Sequence, residues 1–442
     1  MTGILGIELR RSLLVRLSPL AAMAMAALMI NDIHTWRGIW PEASANISTP
    51  LLFIGPLMGG VGAWEVRRRC LAGSARSARA ESAPWTRPLL AAHLLAGVAV
   101  IAAGAVCAII VNLISGAPDG FLWPSYLVVA LACLSECIAV GFLLGRLGGP
   151  AWFAPVVTVT LLFLRLVTTL VASASAPRSY FTRLFLNGGA WVILSPIGVA
   201  IAALEAVNAI ILALYLPSLI AHIRAGRSHT AYPWPRGRRR AAVVGSLGCV
   251  AAVVLVLASP QITEERPPPH EPLCTATEFR ICVWPDEAAR LPTLTSIAGR
   301  VPEQAQALGV PTPDHISSFG LERTRGFESG SGNFTIESDN TWFAANSAAK
   351  LLASSVIPAR CTPRNDADQQ EYFNALYELS LLIELRLQNM SWPRGMGDNS
   401  GIDRAEIARV WESDGAEQQA WIDQRVDTLR SLAAKSDPDH CS

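Results

Sequence analysis

The stretch RGRRRAAVVGSLGCVAAVVLVLASPQITEERPPP, residues 236–269, divides the chain into two parts of different character. Four arginines precede an uncharged apolar segment at 241–259, and an acidic, proline-rich segment follows it. About 20 apolar residues cross the hydrocarbon core of a bilayer, so the stretch predicts a transmembrane helix. Because arginine accumulates in cytoplasmic loops, the arginines indicate the cytoplasmic end of this helix.

The composition separates the same two parts. The 442 residues are 51% hydrophobic and only 16% charged, whereas about 25% charged residues is usual for a soluble protein. Residues 1–258 contain 20 basic and 8 acidic residues, and residues 259–442 contain 16 basic and 27 acidic residues. The basic residues lie at the ends of apolar stretches. We therefore expect them to report membrane topology, and we expect no nucleic-acid partner.

Six further apolar spans precede the opening stretch. They lie at about 13–30, 50–66, 89–114, 123–144, 151–172 and within 191–223. Arginines concentrate in alternate connections, which predicts seven spans with the N-terminus inside and the C-terminus outside. The last of the six is long for one span; two spans there would place the arginine-rich loop outside, against the rule.

Two shorter segments of the membrane half also carry structural information. Residues 2–12 are either an amphipathic helix on the inner membrane surface or the frayed start of the first span. The loop at 31–48 carries Trp36 and Trp40, which is typical of an aromatic belt at the membrane interface. The glycines of the second span favour close helix packing.

The second half reads as a soluble domain. Helical periodicity occurs at 285–308, 341–356, 366–389 and 403–435, and the glycines of 320–339 are compatible with a short β-hairpin. The predicted fold is an all-α polytopic membrane protein with a small, mostly α-helical extracytoplasmic domain. Its parts are a six-span domain (1–225), a basic loop with the seventh helix (226–259), a proline-rich linker (260–273) and the outer domain (274–442).

Four cysteines lie in the outer domain: Cys274, Cys282, Cys361 and Cys441. An even number in an oxidising location predicts two disulfides, whereas a cytosolic domain would hold free thiols. Three pairings are possible, and we favour Cys274–Cys282 with Cys361–Cys441.

Ionisable residues inside membrane spans are costly and are therefore functional candidates. Glu136, Arg165 and Glu205 are such residues, and Asn208 shares a helical face with Glu205. Arg165 and Glu205 are expected at similar depth, where an ion pair would form. The group either lines a substrate path or locks two helices together, and the second interpretation is slightly favoured.

The sequence lacks the motifs of nucleotide hydrolysis and of zinc proteases. Neither Lys350 nor Lys435 follows glycine, so the phosphate-binding Gly-Lys-Ser/Thr sequence is absent. His270 is followed by Glu-Pro-Leu-Cys, which excludes the zinc-protease pattern. We therefore expect no enzyme activity, no cofactor and no metal site, and ATP hydrolysis would need another chain.

Four fragments of the membrane half carry a resemblance. They are GIELRRS (6–12), WRGIWPEAS (36–44), GPLMGGVGAWEVRRRCLAG (55–73) and SAPWTRPLLAAHLLAG (82–97). Over residues 1–225 they resemble the permease subunits of actinobacterial ABC-2 type exporters. The resemblance implies a six-helix core, a dimer of permease chains, and a separate ATPase subunit that contacts the loop between spans two and three. In this chain that loop contains Arg67, Arg68, Arg69, Arg76 and Arg79.

The resemblance also implies a place and a function. We expect a multi-pass protein of a bacterial plasma membrane, with lipid as its surroundings, that acts as the permease-like subunit of an export system. The seventh span and the outer domain are departures from the family. The alternative is a membrane-anchored extracytoplasmic binding or sensing protein that does not transport.

Overall fold

The computed structural model describes residues 2–74, 85–175, 188–225, 243, 247–248, 262–321, 331–334, 341–357, 363, 365–389 and 403–435. The chain forms two compact units, Met1–Arg266 and Pro267–Ser442. The first unit is a bundle of long apolar helices, and the second is a smaller helical domain that contains a sheet.

The first unit contains nine helices within its described residues. They are α1 (Thr2–Arg11), α2 (Leu13–Asn31), α3 (Ile33–Trp36), α4 (Trp40–Asn46), α5 (Leu51–Ser74), α6 (Thr86–Ile114), α7 (Pro124–Leu147), α8 (Phe153–Ser175) and α9 (Pro196–Ala225).

Five helical segments within the described residues are long and apolar enough to cross a membrane. They are Leu13–Asn31, Trp40–Ala72, Thr86–Ile114, Pro124–Leu147 and Pro196–Ser218. They match predicted spans one to four and six, so the prediction of a helical membrane protein is confirmed. The fifth predicted span corresponds to α8, whose side chains are described without a gap for the apolar segment Phe153–Leu164, so this span stays a prediction. Most of the predicted seventh span lies outside the described residues, so the total of seven stays a prediction.

The predicted close packing of the glycine-rich second span is confirmed by the contact between α5 and α7. A Cβ added at Gly59 would stand 2.7 Å from the carbonyl oxygen of Cys137, and one at Gly141 would overlap the carbonyl of Gly59. A Cβ at Gly145 would meet the carbonyl of Ala63 at 2.6 Å. Small residues at a spacing of four let two helix backbones approach in this way.

The predicted interfacial loop at 31–48 is instead helical and buried. Trp36 and Trp40 are 0% and 3% exposed. Their indole N–H groups donate to the carbonyl oxygens of Met29 (3.0 Å) and Pro118 (2.8 Å). The two tryptophans therefore do not form a lipid-facing aromatic belt at the membrane interface, because α3 and α4 fold back onto the bundle and bury both rings.

A short sheet lies beside the start of α9. Strand β1 (Val192–Leu194) pairs antiparallel with β2 (Thr263–Glu265), and the backbone N–H of Ser195 donates to the carbonyl of Ile262. From there α9 continues as one helix to Ala225, which settles the question of one or two helices in favour of one.

The described residues near the seventh predicted span run beside α9. A Cβ at Gly198 would lie 2.9 Å from Cγ1 of Ile262, and a Cβ at Gly248 would overlap the side chain of Asn208. Ile262 thus lies beside Gly198, and Gly248 lies beside Asn208, so these described residues are ordered antiparallel to α9. Ile262 lies at the start of α9 although Ala225 ends it, roughly 40 Å away at about 1.5 Å per residue.

The N-terminal residues form a helix separate from the first span. Ser12 is extended, with φ −64° and ψ 130°, and its hydroxyl accepts the N–H of Val15. This serine ends α1 and caps α2, because a serine at an N-cap satisfies a backbone donor that the helix leaves free. Of the two interpretations of residues 2–12, the separate helix is therefore the observed one.

The second unit contains one sheet and five α-helices within its described residues. Its elements are β3 (Leu273–Cys274), β4 (Arg280–Val283), α10 (Leu291–Leu308), β5 (His315–Ser318), β6 (Ser331–Phe334), α11 (Trp342–Ser355), α12 (Asp366–Gln388), α13 (Arg404–Glu412) and α14 (Gly415–Ala433). The predicted helical stretches are confirmed, and 403–435 holds two helices because Asp414 caps a new one.

The sheet differs from the predicted hairpin. Its order is β3-β4-β5-β6, and β6, the strand described within 320–339, pairs parallel with β5. The observed antiparallel pair is β3–β4, in which Cys274 lies opposite Cys282. A parallel strand needs a long connection, which local glycine spacing does not reveal.

Candidate functional site: a buried polar cluster

Five polar side chains meet where α1, α5 and α6 come together. They are Glu8, Ser12, Glu65, Arg69 and His93, and we call them the polar cluster. Glu8 and Glu65 are each 6% exposed, and Ser12 and His93 are fully buried. Burying ionic groups is unfavourable unless they are paired and hydrogen-bonded, so their mutual contacts decide whether the fold tolerates them.

Glu65 is the centre of the polar cluster. Its Oε2 accepts from the hydroxyl of Ser12 (2.8 Å) and the backbone N–H of Leu14 (3.3 Å), and lies 3.2 Å from Nε2 of His93. Its Oε1 accepts from Nη2 of Arg69 at 2.6 Å. One carboxylate thereby joins the α1–α2 corner, α5 and α6.

Arg69 extends the polar cluster to α1. Its Nη1 donates to Oε2 of Glu8 at 2.5 Å, and its guanidinium lies 5.9 Å from the ring centroid of Trp85. A forked guanidinium can serve two carboxylates at once, which an ammonium group does less well. Arg69 therefore links α1 to the last turns of α5 and to the residue before α6.

The arrangement holds three helices together. Every oxygen of Glu65 is occupied by protein donors, so neither a nucleophile nor a metal ligand is presented. The described residues include no group of three or more His, Cys, Asp and Glu side chains placed to hold a metal ion. What the polar cluster does is fix α1 to both helices that flank residues 75–84.

Three of the five arginines that were predicted to lie in the loop between spans two and three belong to a helix instead. Arg67, Arg68 and Arg69 lie within α5, not beyond it. Nε of Arg67 donates to the carbonyl of Gly149, and Arg68 lies 5.3 Å from the ring of Trp64. Arg76 and Arg79 lie outside the described residues.

The intramembrane candidates fall on different helices. Glu136 of α7 and Glu205 of α9 are both half-buried and both have interaction partners. Asn208 is 4% exposed, and its Nδ2 has no hydrogen-bond partner among the residues that the structure describes. The side chain of Arg165 lies outside the described part, so the Arg165–Glu205 ion pair stays a prediction.

One of the two predicted disulfides is present. Cys274 and Cys282 are bonded, across neighbouring positions of β3 and β4. This confirms the first half of the favoured pairing. Cys361 and Cys441 lie outside the described residues.

The second unit buries carboxylates of its own on α12. Burial raises the pKa of Glu384, although Asn346 donates to it at 2.6 Å. Burial also raises the pKa of Glu378, against the opposing charge of Arg425 at 3.1 Å. These groups join α12 to α11 and α14, and the contacts around them belong to the domain's core.

Sequence reasoning missed the polar cluster. Glu65 and His93 both lie at the edges of predicted spans and were passed over in favour of residues deeper inside. A signal was present: Glu65 and Arg69 are four residues apart, which places them on one helix face. Three of the four resembling fragments also contain Glu8, Glu65 or His93.

Comparison with known proteins adds one match. Residues 281–431 match the model of a family described as a domain of unknown function (DUF7224). This region corresponds to most of the second unit and says nothing about the membrane bundle. Neither the curated proteins nor the solved structures include a significant match to the chain.

Proposed function

We propose that this chain is the permease-like membrane subunit of an ABC-2 type export system and that a separate ATPase subunit drives it. The observation that carries the proposal is the polar cluster. It ties α1, α5 and α6 together at the bundle end where residues 75–84 connect α5 to α6.

A docking segment transmits force only if its two ends are held. Arg69 lies five residues before the end of α5 and Trp85 directly precedes α6, and the two side chains contact each other. Glu65 and His93 connect the same helices one turn further in. A push on residues 75–84 by a partner would therefore move both helices and α1 together.

The chain itself has no phosphate-binding loop, since Gly-Lys-Ser/Thr does not occur in it. An export function thus requires a second, ATP-hydrolysing chain. In the bacterial plasma membrane this partner would meet the α1 end from the cytoplasm, and a second permease chain would complete the pathway.

Contacts at the two ends of α7 indicate where the chain leaves the first unit. Nη1 of Arg146, in the last turn of α7, donates to the carbonyls of Ala213 and Leu214 in the second half of α9. Arg266 lies over the ring of Trp123, at the opposite end of α7. The chain therefore leaves the first unit at the end away from α1, as a seventh span would require.

Co-purification tests the proposal. The chain is tagged, purified from its native membrane and assayed for an associated ATPase and for ATP hydrolysis. Arg76→Gln with Arg79→Gln should lose the ATPase, whereas the exposed Arg430→Gln should retain it. Wild-type chain that never yields an ATPase, even after cross-linking, would contradict export and leave the membrane-anchored binding protein as the function.

A further inference from the structure

We propose that the outward face of α1, together with the start of α2, is a binding surface for the headgroups of anionic phospholipids. The surface consists of Ile4, Ile7, Arg10, Arg11 and Arg16, and we call it the α1 face. It is distinct from the segment 75–84 that the proposed function assigns to an ATPase.

The charged residues of the α1 face are all basic. The acid of α1, Glu8, is turned inward and paired with Arg69, while Arg10, Arg11 and Arg16 are exposed. All three arginines are therefore accessible to solvent, and no salt bridge pairs them with a carboxylate among the described residues. Guanidinium groups bind phosphate through paired hydrogen bonds, so the complementary partner is an anionic phosphate.

Exposed apolar side chains lie beside these arginines. They indicate that the phosphate belongs to a lipid headgroup. Ile4 and Ile7 are 42% and 50% exposed, one turn apart on α1. The exposed leucines of α2, Leu17 and Leu20, continue the apolar surface directly from the arginines. A helix that combines basic and exposed apolar residues in this way lies at the boundary between headgroups and acyl chains.

The α1 face is preorganised. Glu8–Arg69 fixes α1 from its inner side, and Ser12 sets the corner between α1 and α2. Nε of Arg16 donates to the carbonyl of Arg10 at 3.1 Å, which draws its guanidinium back across that corner. The arginines thus belong to a held surface and not to a flexible tail, which lowers the entropic cost of gripping a headgroup.

Lipid titration followed by native mass spectrometry tests the proposal on the full chain in detergent. Phosphatidylglycerol should bind the wild type more tightly than phosphatidylcholine. Each arginine near an anionic headgroup contributes about fivefold, so Arg10→Gln with Arg11→Gln should weaken phosphatidylglycerol binding roughly 25-fold. Arg10→Lys with Arg11→Lys keeps the charge but loses the paired hydrogen bonds, so its binding should lie between those of the wild type and the double glutamine variant, and Arg430→Gln should keep all of it.

Other occupants would give different results. Equal binding of the two lipids by the wild type overturns the proposal. Displacement of phosphatidylglycerol by millimolar inorganic phosphate makes this a free-anion site and overturns it too. If the Arg10, Arg11 double glutamine variant binds lipid like the wild type but loses the ATPase, the α1 face belongs to that protein. Conversely, loss of lipid binding with the ATPase retained supports the lipid surface independently of the proposed function.

Discussion

At the scale of single residues, the polar cluster shows how a membrane bundle tolerates buried charge. Two carboxylates, Glu8 and Glu65, share the guanidinium of Arg69, and the remaining oxygen sites of Glu65 are filled by Ser12, Leu14 and His93. Such a network adds less to stability than its contacts suggest, because each ion loses its hydration. Removing one partner is strongly destabilising, because the remaining charged groups stay buried without their counter-charge.

Glu65→Ala should therefore be strongly destabilising, by about 3–5 kcal/mol, because it leaves Ser12 and His93 without their acceptor and Arg69 with one carboxylate. The measurement is the melting temperature and monodisperse yield of the protein in detergent. Asp119→Asn removes an exposed acid from the same unit and should leave both unchanged. A Glu65→Ala protein that melts like the wild type would show that the polar cluster holds nothing together.

At the scale of elements, the contact between α5 and α7 depends on residues that have no side chain. A Cβ at Gly141 would stand in the carbonyl of Gly59, which is backbone and has no room to move aside. Two helices in a membrane gain no hydrophobic free energy by associating, so close van der Waals contact is what stabilises them.

Gly141→Ala should separate α5 from α7 and lower the melting temperature of the detergent-solubilised protein by several degrees. Gly6→Ala provides the matched control, because no atom lies within 4 Å of a Cβ at that position and alanine favours a helix. We expect Gly6→Ala to be neutral or slightly stabilising. Equal effects of the two substitutions would mean that the close approach is unimportant.

The elements also show what the sequence could and could not foretell. The long apolar helices and α10 to α14 follow from composition and periodicity, which are local properties. The burial of Trp36 and Trp40 does not, because an aromatic residue beside a span fits both the interface and a fold-back onto the bundle. The parallel pairing of β5 with β6 depends on segments that are separated in sequence, and the contacts of the polar cluster other than Glu65–Arg69 join residues 28 to 61 positions apart.

At the scale of the whole molecule, the chain consists of two units that carry opposite net charge. The basic first unit presents α1 at one end of its bundle, and the chain leaves that unit at Arg266, beside Trp123 at the other end. For a bundle that crosses a membrane, we propose that α1 and the segment that leaves at Arg266 lie on opposite sides. The proposed ATPase contact and the Cys274–Cys282 disulfide both require this topology.

Two glycines offer matched positions for testing it, since a Cβ at Gly6 in α1 or at Gly299 in α10 would meet no atom within 4 Å. Cysteine is introduced at each in turn, and intact cells are treated with a membrane-impermeant maleimide, with the unsubstituted chain as background. We predict that Gly299→Cys is labelled in intact cells and that Gly6→Cys is labelled only after the membrane is opened. Labelling of both, or of Gly6→Cys alone, in intact cells would contradict the account.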